Sequence, residues 1–530
     1  MSLVEKLIKR VNGSVEITPA GKQFLLGVVT DTEGPVYAFK NGTSTLMTAA
    51  AMARLSRRGD DLRVIYLDEF ADTHGSAAED LIDRVVTAYG DDSVQQLATL
   101  SMVVEGASNL LTKVIEWGRL ASYLEQSTRY IYFDAKVQGQ YKYFVPNLPE
   151  NIRTKYCMGM DRIFDLYSEI VRGITAYVRR KYPEPTSPAE RTAWIGATRA
   201  QACDAARPLL PVATKSTVGI VASAQAIEGL IRRLLSSNLH EAQDIGRMVL
   251  HEARKVIGPF LRRTDMPERG IAWINYTRDT RDAIETLVKQ YLPQPDHTQA
   301  PVTLLNFWPT DEVALVPEML FESSNHSLES LRTLVQRWQK NQVEEIFQAY
   351  IGNRLNRRHK PGRVLELAHY EFEVVGDYGT FRDLQRHRMV DGWEWQKISP
   401  NLGFDTPELV IEAGFESLFR EGYRISSHLY NDLATFPLEA QYTTLLGHKM
   451  RYRFMMNARQ AFHMLELRTS PQGHPGYRKI CKEIHRLLAE VHPLIGKAML
   501  FVNKSGDPEL TRLEAERATQ TKIQLQLERL

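Results

Sequence analysis

Two segments of the 530-residue chain resemble damaged copies of one motif, and each copy has lost a different part. The first copy, residues 117–130, keeps a Glu-x-Ser-x-Arg tail but has Trp-Gly where the second copy has Arg-His. The second copy, residues 386–398, keeps an Arg-His-Arg head and lacks most of the tail. Because the head of one half and the tail of the other could complete one site, the fold is expected to bring distant segments together.

A second pair of matching segments follows in the same order along the chain. Residues 223–230 (Ser-Ala-Gln-Ala-Ile-Glu-Gly-Leu) correspond to residues 457–464 (Asn-Ala-Arg-Gln-Ala-Phe-His-Met). Two matches in one order indicate an internal repeat. A proline-rich run of low apolar content at 291–302 is predicted to link the halves. The predicted organisation is given by three ranges: an N-terminal arm at 1–42, a first domain at 43–292 and a second domain at 303–530.

Composition argues against several function classes. The formal net charge of +2 provides no overall attraction to nucleic acid or to an anionic membrane, so an anion site has to come from local arginine clusters. Cys157, Cys203 and Cys481 are far apart and form no Cys-x-x-Cys pair, so neither a metal site nor a disulfide framework is expected. A reduced, cytoplasmic setting is therefore predicted. The N-terminus lacks a secretory pattern, and no apolar run approaches the ~18 residues of a membrane span.

Apolar periodicity predicts a mainly helical chain with a few short strands. Runs of β-branched and aromatic residues indicate the strands. The predicted strands are 130–133, 141–145 and 364–375, and the main predicted helices are 153–181, 189–209, 217–235, 241–261, 327–351, 417–433, 454–467 and 476–501.

The tail of the first copy is a candidate phosphate site. Glu125, Ser127 and Arg129 alternate, so in an extended segment their side chains would share one side. A guanidinium offers a charged fork and a serine offers a short donor, which together suit a phosphate. Arg207 follows later, just before Pro208. A surface salt-bridge network is the alternative interpretation of these residues.

The second half carries a candidate site for an anionic cofactor. Consecutive Arg386, His387 and Arg388 suit a pyrophosphate, although a solvated basic run is the alternative. On the predicted helix at 454–467, Arg459 and His463 are four residues apart and share a face. Guanidiniums within an apolar helix need partners, which a bound anion would supply.

These residues resemble the flavin-dependent thymidylate synthases. That family carries an Arg-His-Arg, a Glu-x-Ser-x-Arg-Tyr run, an Ala-Arg-x-x-Leu-Pro segment and an Asn-Ala-Arg helix that ends in Leu-Arg. The first half matches at 125–130 and 206–211, and the second half matches at 386–388 and 457–468. The resemblance implies an α+β fold built of two tandem copies of a domain in which helices surround a small antiparallel sheet.

The resemblance also implies an activity. The expected reaction is the reductive methylation of dUMP to dTMP by an FAD enzyme, with methylenetetrahydrofolate and NADPH as co-substrates. Because the family is tetrameric with sites shared between chains, this chain is expected to form a homodimer that mimics the tetramer. Whether its composite sites lie within or between chains stays open at this point.

The roles implied by the resemblance divide between the halves. Arg468 is expected to contact the uracil and to favour its N3-ionised form, which activates the ring, and it is the expected catalytic residue. The expected flavin-binding residues are Glu366, Arg386, His387, Arg388, Asn457, Arg459 and His463. The expected substrate-binding residues are Glu125, Ser127, Arg129, Arg207, Asp383, Arg386 and Arg468.

One departure from the family pattern affects the expected substrate. Asp383 stands near the head, where the family has a glutamine, and an acid beside a uracil or a phosphate is unfavourable. A related flavoenzyme that acts on another pyrimidine nucleotide is therefore a second hypothesis. A catalytically inactive nucleotide-binding scaffold is the third.

Overall fold

The computed structural model describes residues 2–11, 14–55, 57–71, 76–82, 92–293, 300–507, 510 and 512–527. The α-helices are α1 Leu3–Leu7, α2 Pro19–Leu25, α3 Thr45–Arg54, α4 Leu62–Glu69, α5 Ser76–Ile82, α6 Asn109–Ile115, α7 Glu150–Lys181, α8 Pro188–Ala206, α9 Ala224–Ser236, α10 His240–Ile257, α11 Ala272–Tyr291, α12 Val316–Phe321, α13 Leu328–Val335, α14 Lys340–Ile351, α15 Tyr378–Leu384, α16 Glu408–Glu412, α17 Glu416–Asp432, α18 Ala458–Arg468, α19 Pro475–Val491, α20 Pro493–Ala498 and α21 Leu513–Leu527. The strands are β1 Ile8–Val11, β2 Ser14–Ile17, β3 Thr99–Ser108, β4 Ala121–Glu125, β5 Lys215–Ser223, β6 Val302–Trp308, β7 His369–Asp377, β8 Asp391–Trp395 and β9 Lys449–Asn457.

The predicted α+β class is confirmed, since long helices surround small sheets whose described pairings are antiparallel. Two predicted helices are wrong at their N-terminal ends. Residues 217–223 belong to β5 and residues 454–457 to β9, because β-branched side chains in the first and alternating burial in the second favour a strand. In the described ranges, no helix is both long and apolar enough to span a bilayer.

The strands predicted at 130–133 and 141–145 do not form. Tyr141 donates to Asp165 Oδ1 at 2.7 Å, and its ring stacks on Phe164 at 5.0 Å between centroids. Packing of these aromatic side chains on α7 therefore outweighs their β propensity. Of the linker predicted at 291–302, residues 294–299 lie outside the described residues. Helix α11 ends at Tyr291, and β6 starts at Val302.

The chain divides into two compact units that interleave along the sequence. Unit 1 comprises Met1–Ala107, Val114–Gln126 and Ser216–Gln294, and unit 2 comprises Ser108–Lys113, Ser127–Lys215 and Pro295–Leu530. This division differs from the contiguous ranges predicted from the sequence, because a long segment of the first half packs with the second half. The contiguous ranges remain a prediction about how the chain was duplicated.

Unit 1 contains a three-stranded sheet of order β3-β5-β4 and a β1–β2 hairpin. Its helix α9 carries the buried Glu228, whose carboxylate accepts hydrogen bonds from Arg263 at 3.0 and 2.9 Å and from Gln95 at 3.3 Å. A buried carboxylate is tolerated here because charged and neutral donors surround it.

Unit 2 contains a four-stranded sheet of order β6-β7-β9-β8. Helix α7 packs on α17. Two glycines of α7 leave room for large side chains, one from Leu429 on α17 and one from Phe415, the residue just before α17. A Cβ on Gly173 would lie 2.0 Å from the Phe415 ring, and one on Gly159 would lie 2.6 Å from Leu429. These two positions therefore require glycine for the helices to approach this closely.

A segment of the first half lies inside unit 2 and is fixed there by backbone hydrogen bonds. Val212 N donates to Thr444 O at 2.8 Å, and Leu446 N donates to Leu210 O at 2.8 Å. Tyr423 Oη donates to Pro208 O at 2.9 Å. The first two bonds run between the segment after α8 and the segment before β9, and the third comes from α17, so together they place Arg207 among residues of the second half.

The predicted repeat corresponds to a repeated arrangement of strands and helices. The order β3-β5-β4 in unit 1 has its counterpart in β7-β9-β8 of unit 2, and the middle strand of each leads into a helix. Ser223 Oγ caps α9 by accepting from Ala226 N, and Asn457 Oδ1 caps α18 by accepting from Gln460 N. The serine at the position of the asparagine thus keeps the same capping role.

A buried ion pair fixes the loop after α14 to α18. Arg354 donates to both carboxylate oxygens of Glu466, at 2.7 and 2.6 Å, and the two side chains are 2% and 0% exposed. The guanidinium also lies over the rings of Phe462 and Phe501, at 4.8 and 5.2 Å. Bidentate geometry and aromatic faces satisfy the charge that burial removes from water.

Removing one member of this pair is expected to be far more damaging than removing both. Arg354→Met leaves a buried, unpaired carboxylate and should lower the free energy of unfolding by about 3–5 kcal/mol. The double variant Arg354→Met/Glu466→Leu should recover most of that loss. Chemical denaturation of the two variants checks this, and a double variant no more stable than the single one would contradict it.

Candidate active site

A buried ion pair between the two sequence halves forms the centre of the site. Arg207 follows α8 and is 3% exposed, and its Nη1 donates to Asp383 Oδ2 at 3.0 Å. Asp383 lies on α15, and its side chain is 15% exposed. Arg207 Nη2 is a buried donor without a hydrogen-bond partner in the described part of the chain. The pair therefore leaves one guanidinium nitrogen for a ligand.

Arg129, from the tail of the first copy, is held rigidly beside this pair. Its Nε and Nη2 donate to the two oxygens of Asp204 at 2.7 and 2.6 Å, which is a bidentate pair. Its Nη1 donates to Tyr477 Oη at 3.2 Å. The predicted tail residue is thus fixed by α8 and α19 and presents one nitrogen beyond the Asp204 fork.

Arg468, the expected catalytic residue, completes the cluster from the end of α18. Its Nε donates to His387 Nε2 at 2.9 Å, and its Nη2 donates to Asp383 O at 2.6 Å. Its guanidinium also lies 5.1 Å from the centroid of the Tyr477 ring. Arg468 and Arg129 therefore share one tyrosine, so residues of both sequence copies meet within one chain.

The charges around Asp383 determine its ionisation. Burial would raise the pKa of this carboxyl, but Arg207, Arg468, Arg129 and Arg386 outweigh burial and hold the pKa well below its usual range. Asp383 is consequently a carboxylate across the physiological range. Four guanidiniums and the carboxylates of Asp383 and Asp204 leave the cluster positive, which suits an anionic ligand.

His387, the middle residue of the Arg-His-Arg head, is neutral in this environment. Burial, Arg468 and the nearby His463 hold the pKa of His387 well below its ordinary value. Because its Nε2 accepts from Arg468, its proton is on Nδ1. The imidazole thus acts here as an acceptor that orients the arginine.

The other predicted flavin residues lie along α18 and near its start. Arg459 donates to Glu366 Oε1 at 3.1 Å and to Pro361 O at 3.0 Å. The rings of His463 and His387 are 5.5 Å apart. Asn457 caps the helix, so its side-chain oxygen already serves the backbone.

The head and tail segments take different conformations. Arg386 is exposed and Arg388 is half-buried, and Gln460 of α18 donates to the carbonyl of Met389 just beyond them. The tail leaves the extended conformation after β4: Ser127 Oγ accepts from Arg129 N at 3.2 Å, at the entry to a turn. The extended alternation predicted for the tail therefore stops at Glu125, which is buried in unit 1.

Three residues of the cluster were missed by the sequence reasoning. Asp204 precedes Arg207 by three positions on α8, where an Asp-x-x-Arg spacing was the available signal. Tyr477 contacts both Arg129 and Arg468, but nothing in its local sequence indicates this. His474 is buried and accepts from Gly476 N at 3.1 Å, which caps α19.

The residues of this cluster fit a phosphate-bearing cofactor and substrate. All three nitrogens of Arg129 and two of Arg468 are engaged by acceptors, and Arg207 keeps a buried, unpartnered Nη2. Partial burial is the main cause of the lowered pKa of His463, and the positive charges of the nearby Lys360 and Arg357 lower this pKa further. Oriented donors and a positive field are what an anionic dinucleotide requires.

The buried His474 predicts a loss of stability in acid. Burial, with Arg207 and Arg129 nearby, lowers the pKa of His474 to about 4, against 6.5 for an unperturbed side chain. Between these values the unfolded chain binds the proton and the folded chain does not, so stability falls as the pH drops through this window. His474→Asn retains a capping acceptor and removes this proton.

On acidification, the free energy of unfolding of the wild type should fall relative to that of His474→Asn. The shift should reach at most about 1.4 kcal/mol per pH unit between pH 6.5 and 4. Urea denaturation across this range measures it. Parallel stability curves for the two proteins would contradict the assignment.

Relatives of similar length match nearly the whole chain. The UPF0159 protein of Chlamydia pneumoniae is 32% identical over 522 residues, covering 94% of this chain and 98% of the relative. That of Chlamydia muridarum is 31% identical over 509 residues, covering 92% and 96%. The UPF0159 protein of Thermoplasma acidophilum is 27% identical over 503 residues, covering 88% and 97%.

Solved structures align over part of the chain. A UMP/dUMP methylase of Streptomyces cacaoi bound with 5-Br dUMP aligns at 14% identity and a TM-score of 0.30, over 39% of this chain and 96% of its own. A flavin-dependent thymidylate synthase of Helicobacter pylori complexed with FAD and dUMP aligns at 17% identity and a TM-score of 0.28, over 39% and 89%.

A family model matches the chain in two separate segments. The model is described as thymidylate synthase complementing protein, Thy1, and it matches residues 40–257 and 303–494. The two segments fall one in each predicted half and together make up well over half of the chain. The chain therefore belongs to the Thy1 family of thymidylate synthase complementing proteins.

Proposed function

We propose that the chain is a flavin-dependent enzyme that reductively methylates dUMP to dTMP, with one composite site in unit 2 of each chain. The observation that supports this proposal is a cluster of residues from both sequence halves. Arg207 of the first half pairs with Asp383 of the second. Arg129 of the first half and Arg468 of the second both contact Tyr477, and Arg468 also donates to His387 and to the Asp383 carbonyl. Membership of the Thy1 family also supports the proposed enzyme activity. The loss of motif residues from each half would then be tolerated, because each half lacks a different part of one shared site.

In this proposal the arginines hold the nucleotide substrate. Asp204 fixes two nitrogens of Arg129, and His387 with the backbone of Asp383 fixes two nitrogens of Arg468, so the remaining nitrogens point in set directions. Such preorganisation lowers the entropic cost of binding an anion. Ser127, Arg129 and Arg207 would hold the phosphate, with Arg386 as a further proposed substrate contact.

Arg468 would contact the uracil and favour its N3-ionised form. Its orientation depends on a neutral His387, since a protonated imidazole could not accept from Arg468 Nε. In this proposal the guanidinium would lie next to the N3 edge of the base. We assign Arg468 as the catalytic residue for this reason.

FAD, when bound, would supply the hydride, with electrons from NADPH and the one-carbon unit from methylenetetrahydrofolate. The residues that would hold it are Arg386, His387 and Arg388 of the head together with Asn457, Arg459, His463 and Glu366. The role of Asn457 would be limited to its amide nitrogen, because its oxygen caps α18. Glu366 would act by orienting Arg459.

A second candidate function is the methylation of a different pyrimidine nucleotide. The specific observation is the Asp383 carboxylate, which is paired with Arg207 and held ionised. A carboxylate accepts hydrogen bonds and donates none, so it would favour a base or sugar that presents a donor there. UMP and dCMP are the corresponding alternatives to dUMP.

The organisation of the chain is part of the proposal. Domain copies at 43–292 and 303–530, following an arm at 1–42, would have arisen by tandem duplication, and two chains would associate as a homodimer that mimics a tetramer. The shared strand order and the paired helix caps support the duplication. Each chain would retain one working site.

The visible spectrum of the purified protein tests the proposed function. We expect a flavin band at about one flavin per chain, either as purified or after adding FAD, and a change in that band on titration with dUMP. No flavin binding would overturn the enzyme assignment. Flavin binding that responds to UMP or dCMP and not to dUMP would favour the second candidate.

Substitution of Arg468 tests its assigned role. Arg468→Lys keeps the charge but cannot donate to His387 and to the Asp383 carbonyl together, so the rate of methylation should fall by roughly 10²-fold while flavin remains bound. Arg453→Lys, on β9 in a half-exposed pair with Glu371, is the matched control and should retain activity. Near-wild-type turnover of Arg468→Lys would contradict the assignment.

A further inference from the structure

A basic loop between α14 and residue 363 presents three cations without ion-pair partners. Arg357, Arg358 and Lys360 form no ion pair with a carboxylate in the ranges that the structure describes. Arg357 is half-buried, and the other two are exposed. Like charges so close in sequence repel one another, so a bound anion would relieve the repulsion.

The loop is built rigidly despite its charge. Helix α14 ends at Gly352, whose φ of +70° is a conformation that favours glycine. Arg354 then turns inward to the buried Glu466 and donates to His359 O at 2.6 Å. A buried guanidinium thus closes the loop upon itself and joins it to α18.

Hydrogen bonds within the loop fix its outer residues. Asn356 Oδ1 accepts from Arg358 N at 2.9 Å, and His359 Nδ1 accepts from Leu355 N at 3.3 Å. The side chains of Asn356 and His359 also meet at 3.1 Å. The cations therefore project from an ordered backbone, which lowers the entropic cost of binding a ligand.

The loop lies directly beside the proposed cofactor residues. Pro361 O, at its end, accepts from Arg459 Nε at 3.0 Å. Lys360 and Arg357 are close enough to His463 to affect its protonation, and the His463 ring is 5.5 Å from His387. The basic loop thus adds positive charge beside α18.

We propose that the loop of residues 354–360 binds the phosphate groups of an adenine dinucleotide cofactor, with Arg357 and Lys360 as the main contacts. The proposal rests on the proposed function. Arginine forks and a lysine point charge match several closely spaced anionic oxygens, and dinucleotide phosphates carry such oxygens. FAD and NADPH share this chemistry, and the experiment separates them.

The test compares two charge-matched double variants of the full-length protein. Arg357→Gln/Lys360→Gln removes two loop cations, and Arg337→Gln/Lys340→Gln removes two exposed cations near the start of α14 as the control. Dissociation constants are measured on flavin-free protein for FAD, riboflavin, NADPH and ADP. Riboflavin lacks phosphate and reports on the flavin ring alone.

The expected result is a loss of FAD affinity of roughly tenfold or more in the loop variant, with riboflavin binding unchanged and the control variant like wild type. A loss for NADPH with FAD unaffected would assign the same loop to the NADPH phosphates. Equal affinities of the loop and control variants for both dinucleotides would overturn the proposal.

The ADP measurement separates failure of the loop proposal from failure of the proposed function. If the wild-type protein binds neither flavin nor dUMP, the proposed function fails. Weaker ADP binding by the loop variant than by the control would then still support a phosphate site on the loop. ADP binding that is absent, or equal in the two variants, would overturn it.

Discussion

The site depends on the burial of Arg207 beside Asp383. A guanidinium that is 3% exposed would be costly without a counter-charge, and the Asp383 carboxylate supplies it at 3.0 Å. Asp383 is in turn held ionised by the surrounding arginines. Each residue thus supplies a counter-charge to the other, although they lie 176 positions apart in sequence. The pair therefore requires the two halves of the sequence to fold together.

That requirement explains how each half could lose part of its motif. Unit 2 contains residues 127–215 of the first half together with the second half, so Ser127 and Arg129 of the surviving tail belong to one compact unit with the surviving head. Under the proposed duplication, a copy whose missing residues are supplied from the other half would no longer be under pressure to keep them. Capping residues behave differently: Ser223 and Asn457 both still cap a helix, because every helix start needs its N–H groups satisfied.

The sequence allowed the α+β class and the long helix α7 to be predicted, because amphipathic periodicity and motif order are local signals. The family resemblance also predicted Arg129, Arg207 and Arg468 as substrate-binding residues and His387 as a flavin-binding residue, and it drew attention to Asp383 as a departure from the family pattern. It could not show Asp204 and Tyr477, since their roles come from packing between α8, α18 and α19. The helices predicted at 217–235 and 454–467 begin as strands, because short apolar runs do not distinguish the helical period from the strand period.

Co-expression of two differently tagged chains, one Arg129→Ala and one Arg468→Ala, tests most directly whether one chain builds the site. The structure joins both arginines to Tyr477 of the same chain, so in the proposed homodimer mixed dimers of the two variants should be as inactive as either variant alone. Dimers of wild type with a chain carrying both substitutions should keep about half the activity and serve as the control. Substantial recovery in the mixed dimers would place the site between chains and contradict the account.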